Sequence, residues 1–370
     1  PLVAIILALI TKEVYSSLFI GIVIGGLFYG GLFTAHFSFE TSVTHIFNDG
    51  LVGVLSDPAN IGILIFLVIL GIMVCMMNRA GGSSAFGEWA SKRIKTRTGA
   101  QLVSILLGAL IFIDDYFNCL TVGSVMRPVT DSHQISRAKL AYIIDATAAP
   151  ICIIAPISSW AAAVSGYTSG DGFQLFLNTI PFNLYALLTI VMVCYVIGSE
   201  FHLGKMKKHE LAAQNGDVCF GDDSYQTNEE ISYNQKGKVL DLILPVIVLI
   251  MSCIIGMIYT GGFFDGKDLI TAFSQCDASR GLVYGTFVTL IFVFILYIPR
   301  KVLAFVDFCG SFAQGFKAMT SAIMILCLAW TLSGICGAEY LNIQGFVKAA
   351  VGGSTMAIAV MPVIFFLISL

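Results

Sequence analysis

Residues 99–132 read GAQLVSILLGALIFIDDYFNCLTVGSVMRPVTDS, and the way this stretch lies decides the fold. It runs apolar from Gly99, breaks at Ile113–Asn118, runs apolar again and ends at Arg127-Pro128. As a single crossing of a membrane it would carry Arg127, Arg137 and Lys139 to the side opposite Lys92, Arg93, Lys95 and Arg97. Lys and Arg collect in cytoplasmic loops. The charges are better accommodated by a segment that enters, turns at Asp114–Asn118 and returns, so the spacing predicts a re-entrant hairpin over 99–128.

That the surroundings are a membrane follows from composition. Hydrophobic residues make up 57% of the 370 positions and charged residues 12%, against roughly a quarter charged in a soluble domain. Mean hydropathy is +0.88. The charges sit in short stretches between long apolar runs, none of them a basic block of the kind that binds nucleic acid. The ten cysteines form no CxxC pair and read as small apolar residues. The five histidines lie outside the apolar runs, and neither a cofactor motif nor HExxH is present.

About 20 apolar residues cross the hydrocarbon core. Moving outward from the hairpin, the candidates are Val14–Phe33, Asn60–Met77, Phe176–Gly198, Leu242–Gly262, Gly281–Ile298 and Ala318–Gly337. Gly21, Gly25, Gly26 and Gly30 give the first of these a small-residue stripe suited to close helix packing. Leu32–Asn60 contains no Lys or Arg and is placed outside; Ser199–Lys238, with Lys205, Lys207 and Lys208, is placed inside. The fold class is therefore all-α integral membrane, a polytopic helical bundle with a re-entrant hairpin and a discontinuous helix.

An inverted repeat is expected as well. Val14–Phe33, Asn60–Met77 and the arm Gly99–Ile113 follow in the same order as Gly281–Ile298, Ala318–Gly337 and Ser354–Leu370, with Val302–Lys317 and Glu339–Val351 as the amphipathic stretches between. The charge rule inverts the orientation of the second set, a common build of secondary transporters. Residues 1–198 are then a first repeat with the hairpin 99–128 and a broken helix 139–166, 199–238 a cytoplasmic loop, and 239–370 a linking helix and an incomplete second repeat. The chain is expected to be truncated at both ends, with the second hairpin tip beyond Leu370.

The chemistry is carried by acids in these runs. A carboxylate at membrane depth costs several kcal/mol unless it faces protein or water. Asp114 and Asp115 sit at the hairpin tip; on a regular helix neighbours point about 100° apart, and an irregular tip removes that restriction. Two close carboxylates raise one apparent pKa and suit a proton carrier; the bland alternative is a helix cap at the membrane rim. Asp145 lies in the apolar run Leu140–Ala149, followed by Pro150 and Pro156. Each proline withdraws a hydrogen bond from the carbonyl four residues earlier. The carbonyls of Ala146 and Cys152 would then stand free beside Asp145, Thr147, Ser158 and Ser159, an oxygen-rich site for a hard cation. The alternative is an aspartate paired with Arg127, Arg137 or Lys139. Asp131 and those three cations read as rim charges, although Arg127 is also a gating candidate. Lys12-Glu13, a charged break in Pro1–Phe33, is balanced between an interfacial break and a gating role.

The stretches FIDDYFNCLTVGSVMRPVTD (112–131) and ISRAKLAYIIDATAAPICIIAPISSW (135–160) resemble the NhaC-type sodium/proton antiporter family. The opening LVAIILALITKEVYSSLFIG and the later LAWTLSG are similar to it too. The resemblance implies a multi-pass bacterial inner-membrane transporter that exchanges internal Na⁺ for external H⁺ and is not an enzyme. It places Asp114, Asp115, Asn118, Asp145 and Thr147 in the family's motif positions, and the carboxylates of Asp114, Asp115 and Asp145 are expected to bind either H⁺ or Na⁺. Na⁺, H⁺ and the lipid bilayer are the expected partners, nucleic acid is not, and a homodimer is compatible. The main alternative is a Na⁺- or H⁺-coupled exchanger of small organic acids (malate or lactate) or amino acids. A channel lacks a filter motif, and an intramembrane hydrolase lacks its nucleophile or metal set.

Overall fold

The computed structural model describes residues 2–32, 36–112, 114–156, 158, 160–161, 172–220, 237–337 and most of 339–349. Among them all regular structure is helical. The first half contains α1 (Leu2–Thr11), α2 (Val14–Tyr29), α3 (Phe39–Thr44), α4 (Pro58–Arg79), α5 (Gly82–Arg93), α6 (Arg97–Leu110), α7 (Asp115–Ser132) and α8 (Arg137–Ile154). The second contains α9 (Gly172–Thr179), α10 (Leu184–Ser199), α11 (Gly204–Gln214), α12 (Leu240–Thr260), α13 (Leu269–Ser274), α14 (Ala278–Tyr297) and α15 (Phe305–Ile335). Packing divides the chain into two compact units, Gly62–Met319 and the pair Pro1–Ile61 with Thr320–Leu370.

Among the described residues four helices are long and apolar enough to cross a membrane: α4, α12, α14 and α15. Gln174–Phe182 with Leu184–Ser199, bent by 49°, is apolar enough for a broken span or a re-entrant loop. The protein is thus a multi-pass helical membrane protein. Three expectations change. Phe176–Gly198 is not one straight helix, because Pro181 brings no N–H and the Asn183 side chain caps Ala186 N (3.1 Å), starting a new helix. Val14–Phe33 yields a helix of 16 residues, short of a full crossing. Val302–Lys317 and Ala318–Gly337 are not two segments: α15 runs unbroken for 31 residues, since no proline interrupts Phe305–Ile335.

In the smaller unit the charged break at Lys12-Glu13 separates two packed helices. Lys12 takes a left-handed backbone (φ 58) and Glu13 an extended one, its carboxylate accepting from Tyr15 N (3.3 Å) and Ser16 N (2.6 Å). The chain therefore turns back, and a side chain on Gly21 would begin 2.8 Å from the Ala4 Cβ. Ala4, Ile22, Leu332 and Ile335 form the core of this unit. Residues His45–Val52 form a π-helix, a geometry frequent at functional sites. There His45 stacks on Tyr29 at 3.8 Å and contacts Asp49 (2.9 Å).

In the larger unit α12 and α14 meet backbone to backbone. A side chain on Gly285 would begin 2.5 Å from the Cys253 Cα, and one on Gly281 would begin 2.8 Å from the Met257 Cα. Membrane helices gain little from burying apolar surface against lipid, so such close approach is a main source of their attraction. Gly285→Leu must force the pair apart at a cost of about 1–3 kcal/mol or more. Thermal unfolding in detergent is expected to show a clear fall in Tm for Gly285→Leu. Gly198→Ala, with nothing within 4 Å of the added atom, should leave it in place.

Candidate functional site

The stretch around the two aspartates folds as an antiparallel pair, α6 and α7. Near its tip the Asn118 amide donates from Nδ2 to Gly108 O (2.7 Å) and Ile111 O (3.0 Å). At its open end Arg97 Nη2 donates to Gln134 O (3.2 Å), and the His133 ring lies against Ile94 O (3.1 Å). The start of α6 and the end of α7 are therefore neighbours. The break is shifted from the expected turn at Asp114–Asn118: α6 ends at Leu110, and Asp115–Asn118 form the first turn of α7.

That shift assigns the two acids different jobs. Asp114 has an extended backbone (φ -150), caps α7 through Phe117 N (2.9 Å) and is 6% exposed. Asp115 is half-buried in the first helical turn and accepts from Trp160 Nε1 (3.3 Å). The cap foreseen as the bland alternative is real, but it is buried rather than at an exposed rim.

Asn118 and Thr147 are fully buried and flank one spot. A side chain on Gly108 would begin 3.3 Å from Asn118 Oδ1 and 3.7 Å from Thr147 Oγ1. Both Asn118 donor contacts go to backbone carbonyls, and Oδ1 has no partner. The Thr147 hydroxyl spends its proton on Ile143 O (2.6 Å), leaving oxygen lone pairs. What remains unspent here is acceptor capacity.

The proline-broken helix departs from expectation. α8 runs through Pro150 and stops at Ile154, ahead of Pro156. The Cys152 carbonyl that Pro156 releases is not free: the buried Ser158 hydroxyl donates to it (2.7 Å) and accepts from Ala161 N (3.1 Å). Ser158 is thus engaged in repairing the break. Ser159 and residues 162–166 lie outside the described residues. Asp145 is not buried; it is exposed on α8 and forms no ion pair among the described residues. Of the three acids only Asp114 is buried, Asp115 being half-buried and Asp145 exposed. Among the described residues no three His, Cys, Asp or Glu side chains converge to hold a metal ion, so these three do not make one cage.

The rim charges also change character. Lys139 is buried and faces Glu210 (3.8 Å), while Arg137 pairs with Asp131 (3.2 Å). Arg127 is half-buried, its carbonyl accepting from Thr130 Oγ1 (3.1 Å) toward the open end of the pair. Glu210, from the polar loop, takes Arg97 Nη2 at 2.8 Å as well. No sequence signal set this acid apart from the other loop charges. His45 with Asp49 was equally silent, being one of two histidines in a polar stretch.

A family model described as the Na+/H+ antiporter family matches residues 140–370. An uncharacterized protein of Haemophilus influenzae is 37% identical over 357 residues, covering 91% of this chain and 66% of that protein. The chain thus spans just under two thirds of that relative's length. No solved structure matches.

The cap and the charge of Asp114 are separable. Asn caps about as well as Asp, whereas Ala costs about 1 kcal/mol. Denaturant unfolding is expected to give Asp114→Asn a stability close to wild type and Asp114→Ala a loss of that order.

Proposed function

The chain belongs to the Na+/H+ antiporter family, and from that premise we propose that it is a secondary transporter of the NhaC type in a bacterial inner membrane, moving cytoplasmic Na⁺ out against entering H⁺. The hairpin α6–α7 is read as re-entrant, and the chain as carrying an inverted repeat whose second tip lies outside the described residues. The cation site is centred on the Asp114 carboxylate, Asn118 Oδ1 and Thr147 Oγ1, with Asp115 and Asp145 as neighbouring charges. A proton on a carboxylate removes the charge that holds Na⁺, so the two cations compete, and alternating access turns competition into exchange.

The observation that carries this reading is the direction in which hydrogen bonds are spent. Around Gly108 the donors of Asn118 and Thr147 are consumed by backbone carbonyls, and the oxygens are left. Such a site suits a hard cation. An organic anion would need donors, and of the amides opening α7, Phe117 N is taken by Asp114 Oδ1 and Asn118 N by Asp114 O. The organic-acid exchanger therefore ranks second.

Everted vesicles containing the full-length protein, acid inside, should lose their pH gradient when Na⁺ is added and keep it when choline is added. Loss of a charge-assisted contact of about 1.5 kcal/mol or more corresponds to roughly a tenfold effect. Asp114→Asn is expected to reduce the response by at least that much. Gly108→Ala, whose methyl would crowd Asn118 Oδ1, should raise the half-activating Na⁺ concentration with little change in stability. An unaltered Na⁺ response in Asp114→Asn would sink the reading.

A further inference from the structure

The polar loop holds one acid that behaves unlike the rest. Glu210 lies on α11, whose sequence GKMKKHELAAQ is largely charged and polar, yet its side chain is 1% exposed. Its carboxylate accepts from Arg97 Nη2 (2.8 Å) at the start of α6, and from Ser136 N (2.9 Å) and Ser136 Oγ (2.5 Å) at the N-cap of α8. Lys139 Nζ in the first turn of α8 stands at 3.8 Å and His202 Nε2 at 3.9 Å. Arg97 reaches on to Gln134 O in the turn that joins α7 to α8. The loop is fastened a second time, where Arg137 N donates to Val218 O (3.1 Å).

One carboxylate therefore ties a loop helix to the open end of the hairpin and to the start of the next helix. The His202 imidazole is held below its ordinary range, first by burial and then by the Lys139 ammonium, and the carboxylate's nearer basic neighbours are Arg97 and Lys139. Neither α6–α7 nor α8 can move relative to α11 without breaking this node. Breaking it strands the buried Lys139, and an uncompensated buried charge is costly. A cavity of about 200 Å³ lined by Lys139, Tyr142, Phe201 and His202 adjoins the node and gives water a place to enter as it opens.

We propose that Glu210 is a positioning residue for transport: α11 is a latch across the open end of the hairpin, seated by Glu210, and its release is a step of the transport cycle. This rests on the transporter reading above, since a latch acts on a moving part. A helix that only decorated the loop would not need a buried carboxylate bonded at once to the start of α6 and to the N-cap of α8.

The test uses the full-length protein in nanodiscs and in everted vesicles, with Glu210→Gln, Arg97→Gln and the conservative Glu210→Asp. Hydrogen exchange of residues 204–214 reads the latch, and Na⁺-driven proton flux reads the cycle. Losing charge-assisted bonds of about 1.5–3 kcal/mol corresponds to exchange faster by roughly tenfold or more. That acceleration is expected in Glu210→Gln and Arg97→Gln, with Glu210→Asp closer to wild type. The maximal flux of the two released variants should differ from wild type while the half-activating Na⁺ concentration stays put, a split that general loss of structure would not produce. Wild-type exchange in Glu210→Gln overturns the latch, and so does unchanged flux in a variant whose α11 is released. If Glu210→Gln does not fold, Arg97→Gln decides by the same two readouts. Absence of Na⁺-driven flux in the wild type would instead overturn the transporter reading, leaving the exchange measurement to judge whether α11 is seated by Glu210.

Discussion

A backbone amide or carbonyl left unpaired in hydrocarbon costs several kcal/mol, and this constraint organises the molecule wherever its helices stop. Several of the breaks are met by a polar side chain close in sequence. Glu13 caps α2 beyond the left-handed Lys12. Asp114 caps α7, and Asn118 closes the end of α6 by taking Gly108 O and Ile111 O. Ser158 takes the Cys152 carbonyl that Pro156 cannot serve. The repairs also leave a pattern behind, because side chains that donate to carbonyls keep their own oxygens. The acceptor-rich spot beside Gly108 is thus a by-product of closing the hairpin tip.

Charge is handled by a second rule. A buried ion must be paired and hydrogen-bonded, and removing one partner is far worse than never having had the pair. Among the described residues the larger unit contains two such nodes. Glu210 gathers Arg97, Lys139 and Ser136. Asp241, fully buried at the start of α12, takes Arg300 (2.5 Å) and Lys238 N (2.9 Å), while the buried Tyr297 hydroxyl bonds its carbonyl. Both nodes tie a loop to helices. They differ in what they cross: Asp241 joins α12 and α14, a pair already locked by Gly281 and Gly285, whereas Glu210 crosses the open end of the hairpin.

Much of the fold was legible because hydropathy reports burial in lipid directly. α4, α12 and α14 fall where the apolar runs placed them, within a few residues. The runs were less informative about continuity. Nothing in hydropathy separates the unbroken α15 from the bend before α10; proline and Asn183 decide the second, and their absence the first. In the candidate site, Asp114 and Thr147 could be named from sequence because polar groups in apolar runs demand explanation, and Asn118 because of the family resemblance. Asp145 was singled out by the same logic and yet lies on an exposed face of α8, since a run of apolar residues does not say which side of a helix packs.

What the sequence determined by itself is the class of protein, the membrane segments and the presence of acids where acids are costly, all of which follow from the one-dimensional pattern of charge in hydrocarbon. Only the tertiary structure decided that Asp114 is a buried cap, that Asn118 and Thr147 face one spot with their donors spent, and that Glu210 is buried at all. Those facts depend on partners distant along the chain: Arg97 and Glu210 are 113 positions apart, and no local propensity encodes their meeting.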